Sequence, residues 1–407
     1  MGGVDGPAAV GDHERHFDAD SEQERRARMR LTQLVEPGDE RLGAALSKHD
    51  ALTVLARIED ADESLPGVQH YRSRLSLDPH EPWRRLTEVG GRFLIPGDGE
   101  WPTQLMALGP AAPIGLYVIG GELRVAAARS VAMVGSRAAT DYGAVVASEI
   151  ATDLALRGWT VVSGGAYGID ASAHRGALAS GGSTIAALAF GIDTVYPRGH
   201  NDLFDRIKTE GGALVAELPP GSTPTKPRFL LRNRIIAALT RGTVVVEAQL
   251  RSGALNTAAH ARRLGRPLMV VPGPVTSANS VGCHKLARDD DPARIVTDAA
   301  EVIEEVGLVG ELSERIDPLA RVRDGLDPTT ERVLEAMPAE TPVDPLTLSI
   351  AAGVAPDAVQ GTLLRMVAAG LVREHPDGYL RVPGAADIVV PRRGGLPHHH
   401  GGRTVDR

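Results

Sequence analysis

Six short apolar runs through the middle of the chain restrict its fold more than any other feature. They are SVAMVGS (130–136), TVVSGG (160–165), STIAALA (183–189), GALVAEL (212–218), TVVVEAQ (243–249) and PLMVVPG (267–273). Most are rich in β-branched residues, and all have strand rather than helix length. Longer amphipathic or alanine-rich stretches separate them, at 141–157, 170–180, 200–210, 228–240 and 254–264. Strands that are apolar on both faces and alternate with helices need cover on both sides. The pattern predicts a doubly wound parallel sheet, a Rossmann-like α/β domain over 90–310.

The flanks read differently. Residues 1–28 mix Gly, Asp, Glu and Arg without periodicity and predict a disordered tail. Over 29–89, Leu31, Leu34, Val35, Leu42, Leu46, Leu52 and Leu55 recur at helical spacing, with Pro37-Gly38-Asp39 separating two short helices. Residues 90–121 contain several Pro and Gly and predict an irregular approach to the sheet. After a linker at 311–327, residues 328–384 read as three helices and a two-stranded end with Asp377-Gly378 as its turn, the outline of a winged helix. A tail at 385–407 carries three consecutive histidines, 398–400.

Composition removes several function classes. The single cysteine, Cys283, excludes an intrachain disulfide framework and a Cys-cluster metal site, and reads as a packed thiol. His200, His260 and His284 lack ligand spacing, so no metal or other cofactor is expected. No apolar run approaches ~18 residues and the N-terminus has no signal-peptide core, which predicts a cytoplasmic protein without a membrane span.

Charge is unevenly placed. The chain carries a net −8, yet Lys226 to Arg266 holds nine Lys or Arg residues against one acid, Glu247. Its first segment, KPRFLLRNRIIAAL, sets Lys226, Arg228, Arg232 and Arg234 around Phe229. An anionic partner accounts for such an island, and an aromatic among cations suits the stacking of unpaired bases. A solvated helix face with Phe229 in the core accounts for it equally well. On a helix, Leu231, Ile235, Ile236 and Leu239 share the inward face, which makes Arg232 a surface or dimer-contact candidate.

Ligands of open α/β sheets bind at the carboxyl ends of the strands. Three loops there are candidates: Gly135-Ser136-Arg137, then Ser163-Gly164-Gly165-Ala166-Tyr167-Gly168-Ile169-Asp170, and the Pro-rich loop 219–227 that feeds Lys226 and Phe229. Glycine permits close backbone approach, and free N–H groups at a helix start can cradle an anion. Tight strand–helix packing with Asp170 as a cap is the plainer account of the second loop. Neither glycine loop is a dinucleotide fingerprint or a Walker sequence. Asp170 and His174 lie four apart and read as a structural hydrogen-bonded pair.

In order, VAMVGSR, SGGAYGIDASAHRGAL, FLLRNRIIAAL, VVVEAQLRSGALNTAAHARRLGRPL and PGPVTSANSVGCHKL resemble the DNA-processing protein A (DprA/Smf) family. The resemblance implies an extended Rossmann-like domain flanked by a SAM-like helical module and a winged helix. It implies a non-enzymatic homodimer that binds single-stranded DNA regardless of sequence, protects incoming DNA in natural transformation and loads the RecA recombinase. Carried onto this chain, the DNA-binding residues are Gly135, Ser136 and Arg137, then Ser163, Gly164, Gly165 and Gly168 as a phosphate cradle. Lys226 takes a phosphate and Phe229 a base, while Asn233 and Arg234 belong to the RNR motif. The chain departs from the pattern at Leu230-Leu231, His284 and Asp289-Asp290-Asp291. Residues 328–383 hold four basic and seven acidic residues, which favours protein contact over duplex binding. A Rossmann-type nucleotide phosphoribohydrolase is the alternative, although RGTVVVE places a strand where its glycine loop belongs.

Overall fold

The structure is a computed structural model that describes residues 11–308, 328–338, 341–368 and 371–381. The expected linker at 311–327 and the tail at 385–407 lie outside the described residues. All six apolar runs are strands: β3 (Ser130–Val134), β4 (Thr160–Ser163), β5 (Thr184–Leu188), β6 (Ala213–Ala216), β7 (Thr243–Val245) and β8 (Leu268–Val270). Before them come β1 (Arg92–Leu94) and β2 (Leu116–Gly120), and after them the two-residue β9 (Arg294–Ile295). The nine strands form one sheet in the order β1-β2-β6-β5-β4-β3-β7-β8-β9. From β6 to β9 every neighbour is parallel, whereas β2 pairs antiparallel with β6, and β1 with β2. The 90–121 segment is therefore two edge strands, not an irregular approach. Its Pro and Gly residues fall mainly between the strands, so they masked the short apolar runs.

Alternate residues of the parallel strands feed opposite faces. Ala132, Val134, Val162, Ile185 and Val245 pack under helices Lys226–Leu239 and Gly253–Arg263. Val131, Met133, Val161, Val244 and Val246 pack under helices Asp141–Leu156, Ile169–Ala179 and Ala299–Val306. Each fully buried aliphatic contributes roughly 1.5–3 kcal/mol of transfer free energy, which explains why these strands show no polar alternation.

The first helix runs Gly11–Leu34 and crosses the boundary expected at Met29. Ala27 is buried. Arg25 donates to both Asp98 carboxylate oxygens (2.7 and 2.8 Å) and to the Phe93 carbonyl (2.7 Å), while Arg28 reaches the Ile114 carbonyl (3.0 Å). Residues 21–28 are thus an ordered part of the helical layer, because their charges pair across the fold. A second difference lies at Asp50, which accepts from the Thr53 amide (2.7 Å) and starts a separate helix, Ala51–Glu59. Thr32 meets the buried Tyr117 hydroxyl (2.8 Å), so the helical layer packs directly on β2. No helix among the described residues is long and apolar enough to cross a membrane.

The chain divides into two compact units, with the second beginning at Ser313. That unit contains helices Pro328–Ala336, Pro345–Ala352 and Pro356–Ala368, with β10 (Val372–His375) antiparallel to β11 (Gly378–Arg381). Val333, Leu348, Val359 and Leu363 build its own core. His375 already pairs with Gly378, so the turn residues are Pro376-Asp377 rather than Asp377-Gly378.

Candidate nucleic-acid interface

The sheet changes direction beside β3. The chain goes outward through β4, β5 and β6, then returns to β7 on the other side of β3. Loops leaving β3 and β7 diverge there, which opens a crevice at the carboxyl ends of the strands. It is a cleft of about 780 Å³ whose walls include Gly135, Ser136, Arg137, Lys226, Phe229 and Asn233. The start of helix Lys226–Leu239 forms one wall. Pro227 suits a first helical turn that holds no acid, and the free N–H groups add partial positive charge to that of Lys226.

Arg137 and Lys226 are exposed, and neither has a carboxylate partner among the described residues. The Arg137 guanidinium carbon lies 4.6 Å from the centroid of Phe229, within cation–π range. Phe229 itself is half-buried: it packs on the core, and the Tyr196 ring sits 5.8 Å away at 47°. Its position therefore lies between the core residue and the free aromatic of the two sequence readings.

The glycine loop after β4 is built differently from the expected cradle. Asp170 accepts from the amides of Gly164 (3.1 Å) and Ala166 (3.3 Å), so the N–H groups meant for a phosphate already hold a carboxylate. Ser163 is buried and donates to the Met133 carbonyl (2.6 Å), away from the cleft. The Gly165 carbonyl accepts from His200 (3.0 Å). Gly168 has φ +76°, and a Cβ there would lie 2.2 Å from the Ser136 carbonyl. Its glycine joins the two loops rather than admitting a ligand. Ser163, Gly164, Gly165 and Gly168 are accordingly supports of the site.

Arg232 is the largest departure from the sequence reading. It is 6% exposed, and its guanidinium donates to the Gly164 carbonyl (2.8 Å) and the Ala187 carbonyl. Burial lowers its pKa to about 10, against the attraction of Asp170. Asp170 is raised by its own burial, while Arg232 and the loop amides pull it back. Arg232 is thus an internal strut, not a surface or dimer contact. Helical periodicity placed it outward, but the helix is buried on nearly every side over its second half.

Most of the basic island resolves in the same way. Arg234 is buried in a bidentate pair with Glu217 (2.7 and 2.8 Å) and also donates to the Ala111 carbonyl, so it cannot face DNA. Arg228 pairs with Glu36 of the helical layer (2.9 Å on both nitrogens). Arg262 pairs with Asp289 (2.8 Å), and this absorbs part of the unexpected acidic corner. Asn233 does reach the cleft, where its amide nitrogen ties Gly253 to Asn256 (3.2 Å each).

Other candidates are structural. Asp170 and His174 do not pair: the His174 Nδ1 meets the Thr184 hydroxyl (2.7 Å), and burial pushes its pKa down to about 3. Both Glu247 oxygens accept from Thr140 (2.6 and 3.0 Å) in a buried setting. Cys283 is a buried thiol raised to about 12 by desolvation. His284 bonds the Gly273 carbonyl (3.0 Å).

Three lining residues escaped the sequence reading: Tyr196, Gln249 and Arg251. Arg251 is exposed and likewise lacks a carboxylate partner among the described residues. Its signal was available, because it directly precedes the helix cap Ser252 after β7.

Residues 92–307 match the model of the family described as DNA recombination-mediator protein A. A DprA-type DNA processing protein of Mycobacterium tuberculosis is 41% identical over 364 residues, covering 86% of this chain and 92% of that one. Protein Smf of Escherichia coli is 37% identical over 306 residues, covering 74% and 80%. The X-ray structure of DNA processing protein A from Streptococcus pneumoniae superposes with a TM-score of 0.57 at 30% identity, covering 69% of this chain and 96% of that one.

Proposed function

This chain belongs to the DNA recombination-mediator protein A family, and on that premise we propose that it binds single-stranded DNA, regardless of sequence, in the cleft beside β3. One observation carries the reading. Arg137, Lys226 and Arg251 are exposed, have no carboxylate partner among the described residues, and line one cleft with Phe229 at the switch point of the sheet. Cations there neutralise phosphates. The half-buried ring and the guanidinium lying on it offer stacking surface that any base can use. Gly135 and Ser136 bring the backbone close, and Asn233 fixes the far wall.

The family's description as a recombination mediator supports the further step: protected single strand passed to a recombinase of the RecA type, in the cytoplasm, by a homodimer formed through the α/β domain. We read the second unit as a winged helix used for protein contact. The phosphoribohydrolase alternative is weakened by Glu247, the acid it needs, since both oxygens are taken by Thr140.

Fluorescence anisotropy with a labelled oligothymidylate tests the cleft. Phe229→Ala is expected to weaken binding by about 1–3 kcal/mol through lost stacking. Lys226→Ala, Arg137→Ala and Arg251→Ala are each expected to reduce the slope of log K against log salt by about 0.7. Parent-like binding by both Phe229→Ala and Lys226→Ala, or an exclusive preference for duplex, would discard this site.

A further inference from the structure

Aromatic side chains are scarce in this chain: three Trp, six Tyr and five Phe. Among the described residues only Trp83, Tyr142, Tyr167 and Tyr196 remain largely exposed. Tyr142 is tied by its hydroxyl to the Pro272 carbonyl (2.6 Å). Two of the other three, Tyr167 and Tyr196, lie on the neighbouring loops that follow β4 and β5. Single exposed aromatics are ordinary and need no explanation. Here, however, two stand on adjacent loops beside a cleft that carries exposed cations.

Both rings are held in place. Tyr196 is 43% exposed and lines the cleft next to Phe229. Tyr167 is 51% exposed, with its ring edge-on to buried His200 at 4.6 Å and its hydroxyl against Gly199. His200 bonds the Gly165 carbonyl (3.0 Å), which fastens the 196–200 loop to the glycine loop. On the same loop Arg198, two residues after Tyr196, is exposed and has no carboxylate partner among the described residues. The acid of that loop, Asp193, is neutralised by Arg85 (2.8 Å).

Ring contacts set the order of these groups, because Tyr196 lies beside Phe229 and Tyr167 packs on His200 at the end of the Tyr196 loop, while the sheet sets their extent. β7, β3, β4 and β5 are successive neighbours. At ~4.7–4.9 Å per strand, the loops bearing Arg251, Arg137, Tyr167 and Tyr196 extend across roughly 14 Å. We propose that a single strand held at Phe229 continues over the β5 and β4 loops, with Tyr196 and then Tyr167 stacking the following bases and Arg198 taking a phosphate beside them. The inference rests on the single-strand reading of the cleft and adds to it a direction and an extent.

Length dependence separates the two. With the full chain, anisotropy is measured on oligothymidylates of ~3 and ~12 nucleotides, the longer falling within the ~4–16 nucleotides typical of one single-strand site. Tyr167→Ala is expected to weaken the longer oligonucleotide about fivefold or more, with the shorter changed by less than about twofold. Tyr167→Phe is expected to restore parent binding, and Arg198→Ala to lower the salt slope for the longer oligonucleotide alone. If Tyr167→Ala costs nothing at either length, or the same at both, while Phe229→Ala weakens both, the track is wrong and the cleft stands. If neither Phe229→Ala nor Lys226→Ala has an effect at either length, the cleft reading itself fails.

Discussion

Arg232 shows how a single side chain changes role between sequence and structure. Its guanidinium satisfies the Gly164 and Ala187 carbonyls and stands near buried Asp170. A Cβ on Gly164 would lie 2.5 Å from both terminal nitrogens of Arg232, so the glycine belongs to this strut. Removing one member of a buried charged network costs about 3–5 kcal/mol. Arg232→Met is therefore expected to destabilise by that order in urea unfolding, while the folded fraction keeps the parent salt slope for single strands. A reduced slope at parent stability would make Arg232 a DNA ligand after all. His174 gives a second prediction at this scale. Its Nδ1 carries the proton, because the Thr184 hydroxyl it meets donates onward to the Val161 carbonyl. His200, Arg175 and Arg232 all disfavour its cation. A pKa depressed to about 3 means stability is complete above the ordinary imidazole range and is lost as pH falls below it. The loss is about 2 kcal/mol between roughly pH 7 and pH 5. His260, lowered to about 4 by burial, adds in the same direction, and Asp170, raised by burial, opposes it at lower pH. Replacing His174 with Asn, whose amide nitrogen can reach Thr184, is expected to flatten the acid limb in denaturation series at the two pH values.

At the scale of elements, the N-terminal helix and helix Lys226–Leu239 are coupled. Glu36, just beyond the former, is paired by Arg228 and Arg74, and desolvation fails to keep it from a lowered pKa. Arg25 and Arg28 anchor the first helix to β1 and to the approach of β2. Glu24 accepts from the Ala51 amide (2.8 Å) and so fixes the start of the next helix. A chain beginning at Ser21 is expected to unfold like the parent. One beginning at Met29 is expected to lose on the order of 3 kcal/mol, since it leaves Asp98 and the Phe93 and Ile114 carbonyls without their donors. Equal stability of the two truncations in chemical denaturation would restore the disordered-tail reading of residues 21–28.

For the whole molecule, charge sorts by unit. Residues 131–290 carry 17 basic and 12 acidic residues, whereas 328–383 carry four and seven. Duplex affinity depends on neutralised phosphates, so a fragment spanning 320–385 is expected to show no salt-sensitive duplex binding in a shift assay. Tight binding that weakens with salt would reassign the second unit. The fold was largely legible because strands buried on both faces leave an unbroken apolar signature. The edge strands β1 and β2 were not, since Pro- and Gly-rich connections surround them. In the candidate cleft, the exposure of Arg137 and Lys226 was legible, because they stand at a strand end and a helix start, where local sequence sets exposure. The chain by itself determined the succession of strands and helices, and hence that ligands meet the carboxyl ends of the strands. The strand order that makes the sheet reverse beside β3 is a tertiary fact. Only tertiary structure decided which cations face the crevice there. Arg228, Arg232 and Arg234 find their acids or carbonyls at Glu36, Gly164 and Glu217, partners far away in sequence. Whether a charge is spent inside or left for a ligand depends on contacts that no local pattern records.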